Sequence, residues 1–443
     1  MKTRFINLWH AVSSSYWFIP TIMVVSSILF SFVTIYIDKN VLKEGWLEHF
    51  SWFFSTDPNG ARAFLSTVAG SMITVAGVVF SVSIVALTLA AGQFGPRILI
   101  NFMRDTGNQI VLGTFIATFV YCLIVLRTIE GGNDNAFIPN LSISFAGILA
   151  VLSIGVLIYF IHHAASSIHV SNLLTHISRD LENTIERLCP LNHDNKILQK
   201  DKKWWQASKE ITDHVNSEKH PIRSTESGYI QAIDYEGVFN LATHNNLAID
   251  VKSKPGDFII KDQVVAEVFC MNNLGNSNNN IIMNHFILGE NRTNEQDIRF
   301  VIDQLVEIAV KALSPGVNDP FTAIMCIDRL VSALCLLADR SLPATSIYDE
   351  QNCLRLILER DSFVTLVDSA FTNIRYYLGS NISVSKRMLE GLYVLMQRVN
   401  NHRDRKVILQ HAKLVREFYE HNSTMQSDFD DIDAICSKIE AMT

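Results

Sequence analysis

From Ala63 to Pro96 the chain runs through thirty-four residues without one charge. A helix of that length reaches ~51 Å, well beyond the ~30 Å hydrocarbon core of a bilayer. In water such a rod would have to be wrapped by protein on every side. In a membrane it needs only a tilt, a kink or a protruding end. Three more apolar runs share this part of the chain, so the expected membrane spans are residues 17–37, 63–92, 106–126 and 138–162. None of the four contains an Asp, Glu, Lys or Arg, which argues against an ion-coupled transporter or a proton relay built on intramembrane charge.

Charge is partitioned along the chain. Residues 1–178 hold 8 Lys/Arg and 7 Asp/Glu, whereas residues 179–443 hold 29 and 37. The first part has the composition of a membrane domain and the second that of a mildly acidic soluble one. This excludes a wholly soluble enzyme, a disordered scaffold and a small disulfide-stapled secreted domain. A net charge of −7 without a basic tract argues against a nucleic-acid partner. Seven cysteines without a C-x-x-C pair suit a reducing compartment. Lys2 and Arg4, then Arg97 and Arg104, then Arg179, Arg187 and Lys196 fall on one side of the four spans. The positive-inside rule therefore places both termini in the cytoplasm.

The second span carries its small residues in order. Ala63, Gly70, Gly77 and Ala91 lie on a seven-residue repeat interrupted by Ile84, with Ser66 four before Gly70 and Ser81 four after Gly77. The opposite face is expected to be bulky, with Phe64, Val68, Val75, Val79 and Val82. A stripe of small residues lets another helix approach closely, because lipid tails supply no hydrophobic drive for association. Two arrangements satisfy it: a packing seam inside one four-helix bundle, or copies of this span around a symmetry axis, with Ser66, Ser81 and Thr88 beside a water path. At the far end stand Gln93, Phe94, Gly95, Pro96 and Arg97, followed by Arg104. Gly-Pro stops the helix. Arg97 and Arg104 serve either as ordinary cytoplasmic anchors or, in an oligomer, as basic rings that favour anions at the mouth.

On a continuous helix through the fourth span and beyond, His162, His169 and His176 share a face at seven-residue spacing. Members ~10.5 Å apart cannot share one metal within a chain, so no metal centre is expected. They are either polar residues on a wet face or, as rings in an assembly, a pH sensor.

After a linker at 179–222, residues 223–292 read as a small β-rich module. Gly228–Asp234, Leu247–Ser253 and Val264–Phe269 read as strands, Tyr235–Asn245 as a short helix, and 254–257 as a Lys-Pro-Gly-Asp turn. Met271 to Asn280 reads as a loop. Residues 293–443 read as a helical bundle, opened by a Thr293/Gln296 capping box and continued by helices near 321–338, 350–379, 383–400, 403–421 and 428–441. Within it, Ser314, Pro315, Gly316, Asn318, Asp319 and Pro320 form a distinctive corner, with Asp319 as N-cap and Pro320 at the first helical position. The corner is either a helix–helix connection or a docking loop for a soluble partner. No Rossmann glycine pattern, P-loop, H-E-x-x-H or G-x-S-x-G motif occurs, so neither an enzyme nor a cofactor is expected.

Several strings carry a family likeness. They are Gln93-Phe94-Gly95-Pro96-Arg97-Ile98-Leu99 with Phe102, Arg104 and Asp105, Asn108 to Phe115, Gly228-Tyr229, Pro255-Gly256-Asp257-Phe258, Arg292-Thr293 with Gln296-Asp297, Gln304-Leu305-Val306, Ala312 to Gly316, Asn318-Asp319-Pro320 and Cys326 to Leu330. Through them the chain resembles a bacterial family of predicted inner-membrane proteins grouped under a domain of unknown function. The resemblance spans nearly the whole chain and implies four spans followed by a cytoplasmic domain, in the bacterial inner membrane. The expectation is an α-helical polytopic membrane protein with a cytoplasmic α+β domain, acting as a homo-oligomeric channel in the lipid bilayer. The alternative is a membrane-anchored sensor or scaffold whose cytoplasmic domain binds a soluble partner.

Overall fold

The computed structural model describes residues 17–40, 57–95, 105–129, 137–167, 169–191, 219–269, 278–378, 381–422 and 426–442. The chain divides into two compact units, Met1–Asn172 and Leu173–Thr443. The first holds α1 (Phe18–Asn40), α2 (Pro58–Phe94), α3 (Thr106–Arg127) and α4 (Asn140–Ser167), and α5 (Val170–Leu188) leads into the second.

In the first unit α3 is the helix the others share, packing against α1, α2 and α4. Val111, Leu112, Phe115, Cys122 and Val125 on α3 meet Leu65, Met72 and Val79 of α2 in one apolar core. Gly113 lets α1 come close: a Cβ there would lie 3.2 Å from the Pro20 Cα and closer still to the Met23 sulfur. The helix ends are tied by polar side chains. Asp38, in the last turn of α1 and buried, accepts from the backbone N–H groups of Leu141 and Ser142 at 3.0 Å each and from the Ser142 hydroxyl at 2.6 Å. A carboxylate there answers the unpaired amides and positive dipole end of α4. Beside it the Tyr121 hydroxyl donates to the Ser142 carbonyl (3.2 Å) and shares a hydrogen bond with Thr34 (3.0 Å). Arg62 donates to the carbonyl of Ile129 just past the end of α3 at 2.8 Å.

The second unit contains β1 (Lys219–Arg223), β2 (Gly228–Ile233), α6 (Tyr235–His244), β3 (Ala248–Val251), β4 (Phe258–Ile259), β5 (Val264–Phe269), α7 (Asn278–Met283) and β6 (Phe286–Gly289). It continues with α8 (Ile298–Leu313), α9 (Pro320–Ala338), β7 (Ser346–Tyr348), β8 (Leu354–Leu358), α10 (Phe363–Tyr376), α11 (Ile382–Arg398), α12 (His402–Asn422) and α13 (Gln426–Glu440). Five strands form a mixed sheet ordered β1-β5-β3-β8-β7, and three form an antiparallel sheet ordered β4-β2-β6. Ile230, Ile249, Val265, Leu356 and Leu358 belong to a single core across both sheets.

Four expectations change. First, among the described residues five helices, not four, are long and apolar enough to cross a membrane. The fifth is α9, expected only as a member of the C-terminal bundle. It packs against α8, α10 and α11, and Gly391 of α11 sits so close that a Cβ would collide with Val331. Apolarity alone does not distinguish a helix buried in protein from one buried in lipid. Second, residues 350–379 are not one helix. Leu354–Leu358 is a strand parallel to β3, and α10 begins only after a Ser362/Thr365 capping box. Four of these five strand residues are buried, and a short run buried on both faces has no periodicity of its own. Third, Thr293 and Gln296 do not cap α8. Asp297 does, accepting from the Phe300 N–H at 2.9 Å, while Gln296 pairs with both backbone groups of Ile233. Fourth, the single continuous helix expected through His162, His169 and His176 is described as two, α4 ending at Ser167 and α5 beginning at Val170. Most of the expected linker, residues 192–218, and most of the expected loop, residues 270–277, lie outside the described residues. Asn278–Met283 is helical.

The turn before β4 depends on Gly256. Its φ of 93° is a left-handed conformation, and a Cβ there would drive into the carboxylate of Asp297, itself held by Arg292 at 2.8 Å. Gly256→Ala is expected to cost about 1–3 kcal/mol and lower the unfolding midpoint by several degrees. Gly316→Ala, where a Cβ meets nothing, is the matched control and should change the midpoint little. Thermal unfolding of the detergent-purified protein checks both.

Candidate functional site

Two stripes divide α2 lengthwise. Leu65, Met72, Val79, Ser83, Ala86 and Ala90 are buried against the rest of the first unit. On the opposite side, at steps of three, four or seven residues, run Ala63, Ser66, Gly70, Thr74, Gly77, Ser81, Thr88 and Gly92, all exposed. A Cβ added at Gly70, Gly77 or Gly92 would meet nothing within 4 Å. The small-residue edge is therefore turned outward within the first unit, and no described residue of that unit covers it. Thr67, Thr74 and Thr88 return their hydroxyls to the carbonyls four residues earlier at 2.7, 2.8 and 2.9 Å, which leaves the stripe narrow and smooth. Of the residues expected on the bulky face, Val68 and Val79 are buried, while Phe64 and Val82 are exposed. Ile73, Val78, Val85 and Leu89 flank the small stripe as exposed apolar bulk of the kind that suits lipid.

Gly95, just past the end of α2, has φ 105° and donates its N–H to the carbonyl of Ala91 at 3.1 Å. The helix stop at Gly95 follows the sequence signal. Gln93 and Phe94 fall within α2. Pro96, Arg97 and Arg104 lie outside the described residues.

A second polar centre stands where α3 begins. Asp105 caps that helix, one oxygen accepting from the Gly107 N–H at 2.8 Å and the other lying 2.6 Å from His163 Nε2 on α4. The His163 ring stacks on Tyr159 with centroids 5.3 Å apart. Gly107 makes the approach possible: a Cβ would lie 2.8 Å from the His163 nitrogen and 3.1 Å from the Tyr159 hydroxyl. Asn108 and Gln109 are buried next to it, and Asn108 Oδ1 has no hydrogen-bond partner among the described residues. Sequence reading singled out His162 rather than His163. His162, His169 and His176 are all exposed, whereas His163 meets the carboxylate. Only the contact with Asp105, fifty-eight positions earlier, distinguishes it, and no spacing rule reaches that far.

The Ser314–Pro320 corner is a tight connection between α8 and α9. Ser314 closes α8 and Asn318 adopts φ 47°. The Asp319 carboxylate is already engaged, accepting from the Thr322 N–H at 3.1 Å and its hydroxyl at 2.6 Å. Outward the corner presents Pro315, Gly316, Val317 and Asn318, with Phe321 beside it at 76 % exposure.

The sequence profile of the family described as "Predicted membrane protein (DUF2254)" matches residues 13–393. An uncharacterized protein of Mycobacterium bovis and uncharacterized proteins of two Mycobacterium tuberculosis strains are 30 % identical to the chain over 351 residues, which is 78 % of this chain. The chain spans 65 % of the length of these relatives. No solved structure matches it.

The Asp105–His163 contact and Gly107 form one unit, so their substitutions should not add. Gly107→Ala alone is expected to lose about 1–3 kcal/mol of stability. In a His163→Ala background, where the added methyl has room, the same change should cost less than half as much. Thermal unfolding of the two single variants and the double variant measures that coupling.

Proposed function

As the chain belongs to the family of predicted membrane proteins DUF2254, we propose that it works as a homo-oligomeric channel, with α2 of each copy lining the path. The observation that supports this reading is the edge of α2, where Gly70 and Gly77 meet nothing among the described residues of the first unit and Ser66, Ser81 and Thr88 share the exposed face. An edge of small residues left against lipid forgoes the close helix contacts for which such residues are suited. Set against copies of itself, it gives a tight ring with hydroxyls and backbone toward the axis. Such a lining conducts without intramembrane charge. On this reading the protein resides in a bacterial inner membrane with both termini cytoplasmic, following the basic residues of its segments. Arg97 and Arg104 then stand at the cytoplasmic mouth and bias conduction toward anions.

Two measurements test the proposal. Purified protein in a planar bilayer should conduct, and native mass spectrometry should find a multimer. Gly77→Leu is expected to lower both the oligomer fraction and the conductance at least tenfold, whereas Val78→Leu, on the flank, leaves them near wild type. A monomer that stays silent across voltage, tension and pH defeats the channel reading.

A second reading keeps the protein as a membrane-anchored scaffold that docks a soluble partner at the Ser314–Pro320 corner. Exposed Val317 and Phe321 favour it, since apolar side chains exposed at a corner suit a protein contact. In pull-downs, Phe321→Ser should then lose a partner that wild type retains. Asp319→Ala would act only through the helix cap.

A further inference from the structure

A small cleft of about 50 Å³, open to solvent, lies in the second unit, where the ends of several elements meet. Its apolar lining includes Leu188, Leu342 and Leu366, and its polar lining includes Tyr235, Lys254 and Arg360. Two carboxylates, Glu359 and Asp361, lie on the same wall, so the charged groups of the lining balance. Lys254 Nζ is paired with Asp361 at 2.6 Å. Gln296, also on the wall, is committed to both backbone groups of Ile233. Arg360 lies over the ring of Tyr235 with its guanidinium carbon 4.5 Å from the centroid. Its Nε is shut off from water and has no hydrogen-bond acceptor, and no carboxylate forms an ion pair with it among the described residues. Glu359, its chain neighbour, is influenced by Lys254 and by other carboxylates rather than by Arg360.

A largely buried cation without a paired counter-charge is costly, and proteins rarely retain one unless an anion answers it. Burial already pushes the Arg360 guanidinium below its usual range, in the direction expected of a charge that lacks a partner. The aromatic face beneath supplies part of the missing interaction and holds the planar group in a fixed orientation. Guanidinium geometry suits a two-oxygen anion, carboxylate or phosphate, better than a spherical ion.

We propose that this cleft is a binding site for a small molecule bearing a carboxylate or phosphate group, with that group held by Arg360 and the rest of the molecule against Leu188, Leu342 and Leu366. Tyr235 is a positioning residue beneath the guanidinium. Lys254 on the same wall is already answered by Asp361, which leaves Arg360 as the cation that takes the ligand's anionic group. The site is independent of whether α2 lines a conducting path.

The test uses the full chain purified in detergent, with ionic strength held constant by sodium chloride. Inorganic phosphate, acetate and adenosine monophosphate are titrated separately while thermal unfolding is followed. At least one should raise the midpoint by several degrees and saturate, and the pattern across the three separates phosphate from carboxylate recognition. Arg360→Met should weaken that binding at least tenfold. Its own midpoint without added anion should equal or exceed that of wild type, because an unanswered charge has been removed. Arg360→Lys, which keeps the charge but loses the fork, should bind with intermediate affinity and decides the matter if the Met variant does not fold. No response of wild type beyond that to chloride overturns the proposal. So does a full response retained by the Met variant, or by the Lys variant where that one decides.

Discussion

The hydrocarbon core of a bilayer offers no water, so amides and carbonyls freed at a helix end near it must be answered by the protein itself. The first unit meets this constraint with a few side chains placed at helix ends. Asp38 closes the start of α4 with three hydrogen bonds, Arg62 takes the carbonyl of Ile129, and Asp105 closes the start of α3 while holding His163. Each joins elements distant in sequence. With α3 fixed at both ends, its apolar side chains set the spacing of the bundle, and Gly113 and Gly107 let neighbours reach it. On α2 the side bearing Leu65, Met72 and Val79 together with Ala69, Ala76, Ser83 and Ala86 is buried, and the glycine edge faces away from it.

The second unit solves a different problem. Its five-stranded sheet is completed by β8, which arrives from beyond α9 to lie parallel to β3. That late insertion brings Glu359, Arg360 and Asp361 beside Tyr235 and Lys254, residues that precede them by more than one hundred positions. Gly256, Arg292 and Asp297 meet at the neighbouring turn. These residues come from several strings through which the family likeness was read, and the fold gathers them into one place.

Much of this was readable in advance where a local rule operates. The uncharged runs located α1 to α4. Alternation located β2, β3 and β5, and the Lys-Pro-Gly-Asp turn fell where Gly256 has a positive φ. Asp319 and Pro320 marked the start of α9. Local rules failed where burial on all sides erased the pattern: at β8, taken for helix, and at α9, apolar enough to count as a fifth candidate span. At the histidines the spacing of seven presupposes one continuous helix, whereas α4 ends at Ser167 and α5 begins at Val170.

Sequence alone pointed the first part of the chain to a membrane, since four runs so long and so free of charge would otherwise each have to be wrapped by protein on every side. It also settled that α2 has a small-residue edge, because the positions follow directly from helical period. It could not settle which way that edge faces. Orientation is decided by which side of α2 fills the space beside α3, and that depends on the volumes and end contacts of helices far away in the chain. Likewise, an arginine in a list of residues carries no sign of being unpaired. Arg360 became an anion-site candidate only when the fold buried it on Tyr235 and sent the nearby carboxylate of Asp361 to Lys254.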